Sequence, residues 1–383
     1  MVSPGLPPEG GGIGAYTDKI SRALAARGHE VHVLIPGTSR LTTEIIDGVQ
    51  LHHVPTVSLR PRVLARAWAV RRALRRLGPF DIVQACEWDA EAWWYSLHPQ
   101  APLVTRLATP RYIVDQQNHT PRAQRRHLAL RRWLERDQTR RSARVICPSR
   151  TLAGEVARRW GFDADAVTIV PTGIQLPRLV VGDPPEELRG INYILFFGRL
   201  EPRKGVDTWI EALPRVLESN PALHAVFVGE DLGMGGRSFE ERARERCARD
   251  VARLHFFPAL PHPRLFPIVA GSRLVVMPSP FESLANACLE AMALGRPVVA
   301  TTGTGLAEMI TDSVDGFLVP AGNASALAAT ACAALGDDDL LSRIGRAARN
   351  RAADFDLETM VGRLLDVYAE VLRSRASTMV TPA

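Results

Sequence analysis

The chain has 383 residues, 46% of them hydrophobic, and a formal net charge of +6 at pH 7. That length exceeds what one core organises and suits two domains, and the apolar share suffices for both. No run reaches the roughly 18 apolar residues of a spanning helix, and MVSPGLPPEGGG lacks a basic region followed by an apolar core, so no secretory leader is expected.

MVSPG reads as the end of a first strand, with a few residues expected upstream of it. A helix over about Ala15 to Arg27, stopped by Gly28, leads into a buried strand at Val31 to Pro36. Further strands are expected at Asp81 to Ala85, Pro102 to Leu107, Ala143 to Ser149 and Val167 to Pro171. Leu176 to Gly190, with Pro177, Pro184 and Pro185, reads as a linker. A second alternation follows: NYILFFG, HAVFVGE, LHFFPAL, SRLVVMPS, RPVVATT and DGFLVP. Strands alternating with helical patterns predict an α/β fold with parallel sheets covered on both faces. The expected domains are 1–175 and 176–356, each doubly wound, followed by a last helix over about Leu357 to Arg373.

Charge is uneven along this order. Residues 1–175 hold 25 Arg and Lys against 15 Asp and Glu, whereas the rest hold 22 against 26. A basic first half can steer anionic partners such as nucleotide donors or lipid phosphates, and equally can be a solvated surface. Two stretches are basic and amphipathic, Arg62 to Leu77 and Pro121 to Arg141. Each can pack its apolar face on a sheet or rest on an anionic membrane. No aromatic-basic RNA motif or helix-turn-helix pattern appears, so nucleic acid is not an expected partner. The cysteines, Cys86, Cys147, Cys247, Cys288 and Cys332, are scattered and form no CxxC pair. They are expected to be reduced structural thiols of a cytoplasmic protein, with no zinc site.

Three segments carry candidate chemistry. PPEGGGIGAYTDKI brings Gly11, Gly12 and Gly14 to a helix start, where backbone amides can approach an anion closely. Its spacing is not that of a dinucleotide loop, which disfavours a nicotinamide dehydrogenase. GRLEPRKG follows an apolar strand and offers Arg199 and Lys204, which can neutralise a leaving diphosphate. Lys204 is one of only two lysines, the other being Lys19.

The third segment is PSPFESLANACLEAMALGRPVVAT, Pro278 to Thr301. Ser283 is expected to cap a helix running to Gly295, with free amides at Leu284 and Ala285. Glu282 precedes that helix and Glu290 lies within it. Eight helical residues rise about 12 Å, more than the roughly 5 to 9.5 Å between paired hydrolase carboxylates. Two acids holding different parts of one extended ligand fit better. Gly229 and Glu230 end a strand near the expected nucleotide, and Leu260 can offer backbone groups to a base. Thr301 to Ile310 supplies another glycine-rich turn, and Asp337 to Asp339 is a weak metal candidate.

Taken together, these motifs resemble the retaining family 4 glycosyltransferases, enzymes of two facing Rossmann-like domains (the GT-B architecture). The likeness covers nearly the whole chain. It implies that the loop of Gly11, Gly12 and Gly14 faces donor phosphates and acceptor, and that Arg199 and Lys204 bind the donor phosphates. It assigns Glu282 to the donor sugar and Glu290 to the ribose, and it implies that the last helix crosses back to the first domain. CEWDAE at Cys86 to Glu91 and VTRLATP at Val104 to Pro110 resemble acceptor-side segments. The expected activity is retaining transfer of a hexosyl-type group from a nucleoside diphosphate sugar to an acceptor hydroxyl, without metal or covalent protein intermediate. One departure stands out: many relatives carry His where this chain has Ala108. Alanine has no polar side-chain atom, and His98, His119 and His127 are only near it in sequence. The alternatives are therefore a nucleotide-sugar epimerase of similar architecture and a degenerate sugar-nucleotide-binding protein. The expected place is the cytoplasm, with the inner membrane face as a peripheral option.

Overall fold

The computed structural model describes residues 1–7, 10–56, 60–118, 120–121, 128–175 and 182–380, and the backbone alone over 377–380. The chain divides into two compact units. The first holds Met1–Gln116, Thr120–Gly173 and Glu358–Ala383; the second holds Gln117–His119 and Ile174–Leu357.

The first unit contains strands β1 (Val31–Thr38), β2 (Thr42–Ile46), β3 (Val49–Pro55), β4 (Val83–Cys86), β5 (Leu103–Arg106), β6 (Arg144–Cys147) and β7 (Val167–Ile169). They form two groups, β1-β3-β2 and β4-β5-β6-β7. Val2 joins the groups by parallel bridges to Leu34 and Ala85. Its N–H donates to the Gln84 carbonyl at 2.8 Å, and the Ser3 N–H donates to that of Leu34 at 3.0 Å. Met1–Ser3 thus sits where a parallel sheet has its central strand. The hairpin β2–β3, antiparallel over Thr42↔His53 to Ile46↔Val49, was not expected from the sequence. β2 is an edge strand exposed along its whole length, so it shows no buried alternation.

The first helix spans Gly11–Ala26 and begins four residues before the expected start. Gly11 takes φ +55°, and a Cβ on Gly14 would stand 2.6 Å from the Gly5 carbonyl oxygen. Gly14 is therefore part of the helix entry, tight against the chain before it. Arg62–Leu77 is helical as expected, burying Val63, Ala67, Val70 and Leu74. Of the second basic stretch, Ala129–Arg141 is helical, and 122–127 lie outside the described residues, as do His119 and His127. The last helix, Leu357–Val380, runs seven residues past the expected end. It belongs to the first unit: Tyr368 Oη donates to Gln84 Oε1 at 2.6 Å, and Arg27 pairs with Glu358 at 2.8 Å.

The second unit has one six-stranded sheet of β8 (Asn192–Phe197), β9 (Leu223–Val228), β10 (Leu254–Phe257), β11 (Leu274–Met277), β12 (Val298–Thr301) and β13 (Phe317–Val319). The order is β10-β9-β8-β11-β12-β13, every neighbouring pair parallel. Both faces are buried. Ile194, Phe196, Ala225 and Phe227 enter one core, and Tyr193, Leu195, Val226 and Val228 enter the other. Burial on both faces explains the continuous apolar runs. Of the expected linker, 176–181 lie outside the described residues, but its later part is structured: Leu188 ends a 3₁₀ turn, Glu186–Leu188, and is buried. The strand order reverses between β8 and β11, which makes a switch point where α/β sheets bind ligands beyond their carboxyl ends. Among the described residues no helix is long and apolar enough to cross a membrane.

Candidate functional site

Two loops flank this switch point, Gly198–Gly205 after β8 and Pro278–Ala285 after β11. Glycine allows them to meet. A Cβ on Gly205, at φ +71°, would overlap the carbonyl oxygen of Pro278. Lys204 Nζ donates to Glu282 Oε1, so one ion pair spans the switch. The Glu282 side chain is 6% exposed and that of Lys204 is 22% exposed. Ser279 Oγ donates to the same carboxylate oxygen at 3.2 Å, and Arg203 lies 3.9 Å from it.

The charges continue in an alternating chain. Arg203 donates to Glu201 Oε1 at 2.8 Å, and Arg199 meets the same oxygen at 3.1 Å. Asn118, which packs as part of the second unit, donates to Glu201 Oε2 at 3.1 Å. Arg199 is the solvent-facing end, with 53% of its side chain exposed. Burial pushes the Glu282 carboxyl up, but the charges of Lys204 and Arg203, with hydrogen bonds from Lys204 and Ser279, outweigh it and hold the group below its ordinary value. Burial lowers the Lys204 ammonium, and Glu282 offsets part of that. The pair is asymmetric: its acid is held charged more firmly than its base. Sequence reasoning quoted Glu201 and Arg203 without weighing them. Their signal was position, between the two cations of GRLEPRKG.

The helix after Glu282 differs from expectation. It spans Asn286–Ala293, its N-cap is Ala285, and no side chain caps it. Ser283 is therefore not the cap; the chain runs extended through Ala285, and the Ser283 carbonyl packs against Gly305. The Gly305 N–H donates to the Glu282 carbonyl at 2.8 Å. The first ladder bond runs from the Cys288 N–H to the Ala285 carbonyl at 3.1 Å, so the amides of Asn286 and Ala287 lead the helix without partners within it. Leu284 and Ala285 are buried just ahead of them.

Glu290 is buried in this helix and has a different neighbour, His262 Nε2 at 3.4 Å. His262 stacks on Phe266, ring centroids 4.7 Å apart. The two carboxylates thus serve separate surroundings. Leu260 lies two residues before His262 and is half-buried against the same core as Leu284. At the end of β9, Gly229 at φ +153° passes so close to Gly198 that a Cβ would overlap its carbonyl. The Leu200 N–H then donates to the Glu230 carbonyl at 2.8 Å, tying the β8 and β9 loops together.

Asp337 proves to be a helix N-cap, accepting from the Leu340 N–H at 2.9 Å, and Asp338 pairs with Arg273. No group of three or more His, Cys, Asp or Glu among the described residues is placed to hold a metal. All five cysteines are free.

In the first unit, Gly11 and Gly12 are exposed, and a Cβ on either would meet nothing within 4 Å. Packing does not demand glycine at position 12, which leaves its bare backbone open to a ligand. Ala108 follows β5, and its N–H donates to both Glu87 carboxylate oxygens, at 3.0 and 2.9 Å. Glu87 is fully buried, and burial pushes its carboxyl up. Beside it, Glu135 accepts from the N–H groups of Asp89 at 3.2 Å and Arg111 at 3.0 Å. Asp89 itself takes φ +55°.

Burial, with the Glu87 charge added, pushes Glu135 up to about 8, against the pull of those N–H groups and Arg111. The folded chain then keeps a proton that the unfolded chain releases. Stability from this group is complete below the unfolded value near 4.5 and is lost as pH rises through about 8. Between about pH 5 and pH 8 the wild type should lose about 3–4 kcal/mol more unfolding free energy than Glu135→Gln does. Denaturant melts across that range check this; parallel curves would place the Glu135 proton elsewhere.

Comparison with known proteins converges on one class. Residues 10–178 match the family described as Glycosyltransferase Family 4, and residues 191–337 match Glycosyl transferases group 1. D-inositol 3-phosphate glycosyltransferase of Xylanimonas cellulosilytica is 28% identical over 96% of this chain and 93% of its own length. Glycogen synthase of Mycobacterium tuberculosis is 28% identical over 97% of this chain and 94% of its own. Among solved structures, sucrose-phosphate synthase from Thermosynechococcus elongatus superposes with a TM-score of 0.78 at 20% identity, covering 97% of this chain and 96% of that one. Anabaena HepE in complex with UDP-glucose superposes with a TM-score of 0.73 at 20% identity, covering 96% and 98%.

Proposed function

We propose that this chain, which belongs to glycosyltransferase family 4 and has the two Rossmann-like units of a GT-B fold, moves a hexosyl-type group from a nucleoside diphosphate sugar to an acceptor hydroxyl with retention of configuration. The observation that carries the reading is the Lys204–Glu282 pair across the switch point of the second unit, backed by Arg203 and continued by Arg199. The HepE complex with UDP-glucose supports a donor of this class.

In this reading Arg199 and Lys204 meet the diphosphate, whose negative charge grows as the glycosidic bond breaks. The amides of Asn286 and Ala287 add a helix N-terminus aimed at an anion. Glu282, fixed by Ser279 and Lys204, orients the sugar. Glu290, held near His262, takes the ribose hydroxyls, and the backbone at Gly229 and Leu260 borders the base. The cations supply the charge neutralisation that a divalent metal supplies in other transferases, so no metal is needed. In the first unit, exposed Gly11 and Gly12 offer bare backbone to an anion.

A panel of UDP, GDP and ADP sugars, scored by thermal shift with and without EDTA, tests this. One donor should raise the melting temperature equally in both conditions, and its transfer product should keep the anomeric configuration by NMR. A shift abolished by EDTA would refute metal independence, and no shift from any donor would refute the donor site. Ala108 favours one second reading, binding without turnover, because its side chain is apolar, its N–H is held by Glu87, and its carbonyl accepts from Thr109 Oγ1 at 2.7 Å. Slow hydrolysis of the bound donor would dismiss it.

A further inference from the structure

We propose that one helical layer of the first unit docks on an anionic lipid bilayer. The helix Arg62–Leu77 carries six arginines and no acid. Trp68 on it is 42% exposed. Arg71, Arg72, Arg75 and Arg76 follow at three, four, seven and eight residues, so they share its face. The Arg72 guanidinium sits 5.6 Å above the Trp68 ring. Arg66, two residues before Trp68 and so on the other side of the helix, turns inward and pairs with Glu91 at 2.6 Å.

The helix Ala129–Arg141 adds exposed apolar surface, while its Arg131, Arg132 and Arg141 pair with Asp89, Asp115 and Asp137. Trp133 is 51% exposed and Leu130 is exposed beside it. Trp133 meets Trp93 edge-on at 5.9 Å, and Trp93 meets Trp94 at 4.8 Å. The helices share one layer, because Val63 and Leu64 of the first pack with Leu134 of the second, around Ala90 and Trp93. Two exposed indoles, spaced among arginines whose stems can lie along an apolar surface, suit a headgroup boundary. There the rings enter the apolar edge while the guanidinium groups meet phosphate. A soluble polyanion would engage the arginines but gains nothing from exposed Leu130 and Trp133. This inference stands independently of the sugar-transfer reading.

The test is sedimentation of the full chain with phosphatidylcholine vesicles containing or lacking phosphatidylglycerol. The chain should partition only onto the anionic vesicles, less so at high salt. Its tryptophan emission should shift to the blue and be quenched by brominated lipid. Arg71→Gln with Arg75→Gln should weaken partition about 25-fold, at about fivefold per arginine. Trp68→Ala with Trp133→Ala should remove most of the quenching. Unchanged far-UV circular dichroism would show that each variant is folded. No partition onto anionic vesicles, or folded variants that partition like wild type, would overturn the proposal. Equal binding to heparin without lipid quenching would overturn it in favour of a polyanion in solution.

Discussion

Lys204→Ala should lower turnover by about 10²–10³-fold, the usual effect of removing one group that meets developing charge. The same change should cost about 3–5 kcal/mol of stability, because it leaves the buried Glu282 carboxylate without its main partner. The two effects separate. Adding Glu282→Gln to Lys204→Ala removes the orphaned charge, so stability should recover in part while turnover does not. Turnover should stay low wherever folding is intact, with donor affinity falling alongside it. A folded Lys204→Ala protein that turns over like wild type would remove this lysine from the proposed chemistry. Glu282→Gln alone should keep donor binding and lose turnover, since it keeps the shape but not the charge that orients the sugar.

Gly305→Ala should cut turnover about 10²-fold without touching a charged group. A Cβ there would overlap the Ser283 carbonyl and stand 2.9 Å from the Glu282 carbonyl. The loop that holds Glu282 must then shift, and displacements near 1 Å at a reacting centre have effects of that size. Overpacking should cost about 1–3 kcal/mol as well. Steady-state kinetics with a denaturant melt would check both. Wild-type kinetics would mean that the loop yields without moving its carboxylate.

The second unit was legible because its strands are buried on both faces, so NYILFF, HAVFV and LVVM announce themselves as apolar runs. The edge hairpin was not. Its β2 shows no buried side, and Thr42–Ile46 carries polar residues beside exposed isoleucines. The helix at Asn286 was expected too early because Ser283 has the right chemistry for a cap; the Gly305 contact instead holds that stretch extended. Glu282 and Lys204 could be named singly, but their pairing joins residues 78 apart, which no local pattern displays. His262 escaped for the same reason: its partner, Glu290, lies far along the chain.

The last helix bears on how the protein comes into being. The first unit is assembled from both ends of the sequence, with Glu358 onward packing against residues such as Arg27, Gln84 and Gln100. The second unit is almost one unbroken segment, Ile174–Leu357. During synthesis, domains fold as units once their residues have emerged. The unit that begins first therefore waits longest for its final piece. On the ribosome, the second unit can close while its predecessor is still missing a helix.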